Sequence, residues 1–143
     1  MNNLIDLLNY GQSYWLDNLT RDKIASGELK NRMTLEGLRG ITSNPSIFNK
    51  AIAESDSYDH QIKSLIDQGY PPHKVYEFLT VQDVQDACDI LRPVFENSSG
   101  VDGFVSLEVS PHLARDTKGT IEEVHMLHRA VDRPNCYIKI PGT

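Results

Sequence analysis

The chain has 143 residues, a formal net charge of -6 at pH 7, and 39% hydrophobic against 24% charged residues. This balance is typical of a globular protein, and we predict one domain over 1–143. The acidic charge disfavours nucleic acid or an anionic membrane as a partner, although one or two arginines could still bind a small phosphorylated molecule. No apolar run approaches the roughly 20 residues that span a bilayer, and the N-terminus lacks a signal-like segment. We therefore expect no membrane association and a cytoplasmic location.

The elements alternate along the chain. Strands are expected where apolar and β-branched runs are bounded by turn residues, and helices where apolar residues recur at helical spacing. In chain order we predict a helix at 2–10, a strand at 13–17, a helix at 20–27, a strand at 37–45, a helical turn at 45–53, helices at 55–68, at 72–79 and from 80 to about 95, a strand at 103–110, a helix at 120–131, and a strand at 136–140.

Two helix starts are predicted from N-cap signals. Thr80 with Asp83, and Thr120 with Glu123, have the spacing at which a cap side chain and a third-position acid satisfy the first backbone N–H groups. Pro93 should kink or shorten the helix that begins at Thr80.

Strands that alternate with helices favour a parallel sheet with right-handed crossovers. A (β/α)₈ barrel needs about 250 residues, so this chain supplies about four β/α units. We therefore predict an α/β fold that is half of a parallel (β/α) barrel, with an extra N-terminal helix. The third strand supports a barrel, because Val105, Leu107 and Val109 share one face while Ser106 and Glu108 share the other.

Polar side chains stand at the C-terminal ends of all four predicted strands. Asp17 ends the first, Thr42 and Asn44 the second, Glu108 the third, and Lys139 the fourth. In a (β/α) barrel, polar residues at the C-terminal ends of the strands are typical of a catalytic site. Lys139 lies in an apolar run, where burial would favour its neutral, nucleophilic amine.

Imine chemistry fits this set of residues. A lysine amine attacks a ketone, and the resulting iminium is an electron sink for breaking or forming the adjacent C–C bond. Glu108 could transfer protons through a water, Asp17 could act as the base for a substrate hydroxyl, and Asn44 could orient a hydroxyl.

Each residue also has a structural interpretation. Lys139 could simply reach solvent, Glu108 could form an ion pair with it, Asp17 could cap the next helix, and Asn44 before a proline is an ordinary turn residue. His125 and His128 lie three apart but lack a third ligand, so we expect surface histidines and no metal site. Cys88 and Cys136 are expected to be reduced core thiols.

Three motifs closely resemble those of the transaldolase family. They are the segment Gly40–Phe48, the segment Ser106–Ser110, and the segment Tyr137–Thr143. They occur in the family's order, and the match extends from about Ser13 to Thr143.

The resemblance implies a class I aldolase-type barrel that needs neither a metal nor an organic cofactor. It implies transfer of a dihydroxyacetone unit between sugar phosphates of the pentose phosphate pathway, from sedoheptulose 7-phosphate to glyceraldehyde 3-phosphate. By motif, Lys139 would form the Schiff base, Glu108 would act with the catalytic water, and Asp17 would be the acid/base at C–C cleavage. Asn44 and Thr42 would hold the dihydroxyacetone carrier.

Transaldolases have four further strands, which provide a water-binding threonine and the phosphate-binding serine and arginines. We therefore expect little or no activity from this chain alone, and closure of the half-barrel by a homodimer or an exchanged assembly. Two alternatives remain: a non-catalytic half-barrel or part of a split enzyme, and an aldolase of related mechanism that acts on another carbonyl compound.

Overall fold

A sheet of four parallel strands forms the centre of the molecule, in the spatial order β1-β2-β3-β4. The structure is a computed structural model that describes residues 2–142, so Met1 and Thr143 of the predicted domain and motif lie outside the described residues. The strands are β1 Tyr14–Leu16, β2 Leu38–Thr42, β3 Phe104–Glu108 and β4 Cys136–Lys139. Each lies inside its predicted range, and the predicted α/β class with a parallel sheet is confirmed.

Seven α-helices and three short 3₁₀ turns surround the described sheet. The helices are α1 Asn3–Asp6, α2 Arg21–Ala25, α3 Glu28–Leu35, α4 Pro45–Glu54, α5 Asp59–Asp67, α6 Pro72–Asn97 and α7 Thr117–Val131. The 3₁₀ turns are Leu7–Tyr10, Asp56–Tyr58 and Pro111–Leu113. Within the described part of the chain, no helix has the length and apolarity needed to cross a membrane.

The outer face of the sheet packs on the helices. Val105, Leu107 and Val109 belong to one buried cluster that also contains residues of α6 and α7, as the alternation in β3 predicts. Cys88 and Cys136 are buried in the same cluster as free thiols. Because this face is covered, the polar side chains of the strands are left to the opposite, inner face.

Aromatic rings cover part of the inner face. The Tyr137 ring stacks on Phe104 with centroids 3.9 Å apart. Gly40 pairs with Trp15 across β1 and β2, and a Cβ at Gly40 would overlap the indole ring. Glycine at position 40 therefore leaves the space that the Trp15 ring occupies next to β2.

Helix α6 corrects the prediction for residues 72–95. It is one helix of 26 residues, and it continues for four residues beyond Pro93. Thr80 does not cap a helix, because its hydroxyl donates to the carbonyls of Tyr76 and Glu77 at 3.1 Å each. Asp83 is fully buried. The spacing that suggested a cap is also the spacing of neighbours on one helix face.

Helices α4 and α7 also differ from the prediction. Helix α4 has 10 residues rather than a single turn. Helix α7 begins at Thr117, and Asp116 caps it by accepting a hydrogen bond from the backbone of Gly119 at 2.9 Å. Thr120 and Glu123 do not form a capping box, because the Glu123 carboxylate accepts from the backbone N–H of Ser110 at 2.7 Å.

Candidate active site

Lys139 and Glu108 are the last residues of β4 and β3, and they pair directly across the parallel ladder. The Lys139 Nζ lies 2.8 Å from Oε2 of Glu108. It also donates a hydrogen bond to the backbone carbonyl of Ser43 at 2.9 Å. The strand-end register thus brings an amine and a carboxylate into contact, as the sequence pattern predicts.

The expected burial of Lys139 is wrong. Its side chain is 38% exposed, whereas that of Glu108 is 17% exposed. Strand β4 is the last in the sheet order, and the following Ile140 is also exposed. In this chain the ammonium is held by an ion pair and a carbonyl rather than by an apolar environment.

Asp17 and Thr42 form a second pair on β1 and β2. The Thr42 hydroxyl donates to Oδ1 of Asp17 at 2.6 Å. The alternative role of Asp17 as a helix cap is wrong, because the cap of α2 is Thr20, whose hydroxyl accepts from the backbone of Lys23. The Asp17 carboxylate is exposed and available at the strand end.

Asn44 caps helix α4. Its Oδ1 accepts hydrogen bonds from the Ser46 backbone at 2.9 Å and from the Ser46 hydroxyl at 2.7 Å, and Pro45 occupies the first helical turn. The structure thus makes Asn44 a helix cap rather than the ordinary turn residue of the structural interpretation. Within residues 2–142 its Nδ2 makes no hydrogen bond, so this N–H₂ group can still donate to a ligand.

Ser43 links the two pairs. It lies between Thr42 and Asn44 in the sequence, and its carbonyl binds Lys139. Among the described residues, no hydrogen bond joins Asp17 directly to Lys139 or Glu108. The arrangement is thus a pair at β3 and β4 and a pair at β1 and β2, with the backbone of Ser43 between them.

Two residues near the site were not found by sequence reasoning. The Ser43 hydroxyl is buried without a hydrogen-bond partner among the described residues. Tyr76 of α6 lines the same cavity as Glu108, and burial, followed by the negative charge of Glu108, raises the pKa of its hydroxyl. The alternation of side chains along β2 could have placed the Ser43 side chain on the outer face, next to the inward-facing Thr42. The sequence around Tyr76 contains no signal that distinguishes Tyr76 from an aromatic residue of the core.

Comparisons with known proteins agree on one family. Residues 14–143 match the model of the family described as Transaldolase/Fructose-6-phosphate aldolase. The chain is 51% identical over 143 residues to a protein of Nostoc sp. named Transaldolase 2, covering 100% of this chain and 38% of the relative. It is 48% identical to the Transaldolase of Thiobacillus denitrificans, covering 100% of this chain and 40% of that relative.

A third relative gives the same result. The protein of Streptomyces coelicolor named Transaldolase 2 is 46% identical over 137 residues, which cover 96% of this chain and 37% of the relative. The chain thus spans 37–40% of the length of these relatives.

Proposed function

Because the chain belongs to the transaldolase/fructose-6-phosphate aldolase family, we propose that it carries the Schiff-base part of a transaldolase site. The observation that carries the proposal is the contact of 2.8 Å between Lys139 Nζ and Glu108 Oε2. A carboxylate at this distance can take a proton from the ammonium, which frees the nitrogen lone pair.

The proposed reaction begins at Lys139. The free amine attacks the ketone carbon of a sugar phosphate and forms a carbinolamine. The carbinolamine oxygen takes a proton from Glu108 and leaves as water, so that a C=N bond forms. The iminium then accepts the electron pair of the adjacent C–C bond as that bond breaks.

Asp17 is the proposed base for cleavage. It would accept the proton of the substrate hydroxyl next to the breaking bond, while the bound dihydroxyacetone unit keeps the electron pair as an enamine. Thr42 holds Asp17 in place through its hydrogen bond of 2.6 Å. The free Nδ2 of Asn44 would donate to a hydroxyl of the carrier.

Trapping of the imine tests this function. We expect borohydride reduction in the presence of fructose 6-phosphate to add the mass of the reduced sugar phosphate to the chain. Lys139→Ala should abolish the adduct, whereas Lys118→Ala should retain it, because Lys118 is 89% exposed on α7. An adduct of equal yield in Lys139→Ala would refute the assignment of the lysine.

A second candidate is a non-catalytic half-barrel or one part of a split enzyme. It is favoured by the same ion pair, which can serve as a structural contact between β3 and β4. A folded wild-type chain that gives no adduct, and behaves like Lys139→Ala, would favour this candidate.

We also propose that the half-barrel associates through its sheet edges, as a homodimer or an exchanged assembly. Strands β1 and β4 each have one neighbour in the described sheet. Exposed apolar side chains occur in the segments next to both edge strands, with Tyr10 before β1 and Ile140 directly after β4 in the sequence. A compact, stable monomer at micromolar concentration in light scattering would refute association.

A further inference from the structure

A cavity of about 330 Å³ lies behind Glu108, between the end of β3 and helices α4, α6 and α7. We call it the rear cavity. It is distinct from the inner face of the sheet, where Lys139 lies, because Leu107 and Val109 of its lining belong to the outer-face core. Ten of the sixteen residues that line it are polar, among them Ser43, Thr80, Tyr76, Glu108 and Glu123.

Ser43 supplies the first sign that the rear cavity holds a polar occupant. Its side chain lines the cavity and is 1% exposed, yet its Oγ has no hydrogen-bond partner in residues 2–142. An unpaired buried hydroxyl is costly. A water has a share of about 30 Å³ in the liquid, so the cavity is roomy enough for several waters that could bind this hydroxyl.

Tyr76 supplies the second sign. It lines the same cavity from α6, and the charge of Glu108 contributes to the raised pKa of its hydroxyl, after burial. The phenol therefore stays neutral in the physiological range and can donate a hydrogen bond to a water that in turn binds the carboxylate.

The remaining charged groups around the rear cavity already have partners or are exposed. Glu77 is bound to Lys74 at 2.8 Å, and Glu123 accepts from the Ser110 backbone. Lys139 faces Glu108 from the opposite side. The other titratable residues in the lining are the exposed His73 and His112.

We propose that the rear cavity is a water-filled chamber that links the Glu108 carboxylate to Tyr76 and Ser43, and that Tyr76 is a positioning residue for Glu108. The mechanistic part rests on the proposed function. Glu108 is a carboxylate again once it has passed the proton taken from Lys139 to the leaving oxygen of the carbinolamine, so no further proton has to reach it. The chamber waters, with the Tyr76 hydroxyl among their neighbours, hold the carboxylate in position for these two transfers.

The first experiment tests the chamber without any chemistry at Lys139. If water binds the Ser43 hydroxyl, Ser43→Ala loses a hydrogen bond, and the free energy of unfolding falls or stays unchanged. If the cavity is dry, the substitution removes an unsatisfied polar group and raises the free energy of unfolding. Such a rise, measured by urea denaturation, would overturn the proposal.

The second experiment tests Tyr76 through the imine. The whole chain is treated with dihydroxyacetone and cyanoborohydride over a range of pH, and the rate of adduct formation at Lys139 is followed by intact mass. We expect Tyr76→Phe to slow the adduct about tenfold, less than the 10²–10⁴-fold effect of a direct acid or base. The ratio of wild-type to variant rates should change with pH, because the hydroxyl supports the Glu108 carboxylate in the proton transfer from Lys139 and in the transfer to the leaving oxygen.

Tyr70→Phe is the matched control, since Tyr70 is exposed and lies outside the cavity lining. A ratio for Tyr76→Phe that is constant with pH, or equal to that of Tyr70→Phe, would show a merely structural role and overturn the positioning role. If the folded wild type gives no adduct, the proposed function fails, and so does the positioning role that rests on it. Whether the rear cavity holds water is then decided by whether Ser43→Ala raises or lowers the free energy of unfolding.

Discussion

The contact between α2 and α6 depends on one buried ion pair. Arg21 Nε lies 2.7 Å from Oδ1 of Asp83, and the Tyr58 hydroxyl donates to Oδ2 of Asp83 at 2.8 Å. The Arg21 guanidinium also lies over the Tyr58 ring, 4.3 Å from its centroid. Asp83→Asn keeps the volume of the side chain but removes the anion, and so isolates the electrostatic part of this contact.

The magnitude follows from burial. The Asp83 side chain is 0% exposed and that of Arg21 is 16% exposed. Removing one partner of a buried pair costs about 3–5 kcal/mol, a large fraction of a total stability of about 5–15 kcal/mol. Replacing both partners, as in Arg21→Met with Asp83→Leu, should recover most of the loss, because no uncompensated charge then remains buried.

The two single substitutions should differ. Arg21 cannot lose its proton, so Asp83→Asn leaves a permanent cation. Arg21→Met leaves a carboxyl group whose pKa burial already raises, and this group can become neutral. A carboxyl group whose pKa is higher in the folded than in the unfolded state destabilises the fold above its unfolded-state pKa. The loss in free energy of unfolding caused by Arg21→Met should therefore shrink as the pH falls toward the ordinary carboxyl pKa of 3.8.

Urea denaturation followed by circular dichroism and by the fluorescence of Trp15, the single tryptophan, measures these free energies. Lys118→Ala is the control, because its pair with Glu122 is exposed and 3.8 Å long, and such pairs contribute about 0–1 kcal/mol. An Asp83→Asn loss no greater than that of the control would refute the reasoning. So would a larger loss in Arg21→Met than in Asp83→Asn at neutral pH.

Two further predictions concern other contacts. Gly40→Ala should lower the free energy of unfolding by about 1–3 kcal/mol by overpacking, because the new Cβ would overlap Trp15. Gly142→Ala is the matched control, since no atoms lie within 4 Å of its added Cβ. Equal losses of stability in the two variants, measured by urea denaturation, would contradict this prediction. Arg133 lowers the pKa of Asp89 chiefly through its hydrogen bond, so the pair stabilises the fold above the ordinary pKa of 3.8 and loses that effect as the pH falls through the folded-state value. The stability gap between wild type and Arg133→Met should therefore be widest near neutral pH and narrow below pH 3.8; a gap that does not change with pH would contradict this account.

The strands could be predicted from sequence because their signals are local. Apolar runs bounded by turn residues fix each strand, and the side-chain alternation then fixes which residues face inward. This sufficed to place Glu108 and Lys139 at the same edge of the sheet. The partner carbonyl of Ser43, 96 positions from Lys139, could not be predicted, because every residue has a carbonyl and only the packed backbone selects one.

The helices were less predictable because their polar residues serve distant partners. Asp83 has the right distance from Thr80 for a cap, but it binds Arg21 from 62 positions away. Glu123 likewise has the right distance from Thr120, but it binds the Ser110 backbone at the end of β3. A short-range pattern cannot show which side chains a tertiary contact will recruit.

The strand order has a consequence for the path of folding. Since spatial order follows chain order, each strand can pair with the one that the ribosome released before it, and no strand must be inserted between two others. The connection from β2 to β3, which contains α4, α5 and α6, closes the longest loop, and its entropic cost rises only slowly with length. We expect β4 to join last, so that the approach of Lys139 to Glu108 marks the completion of the four-stranded sheet and offers a site-specific probe of its final folding step.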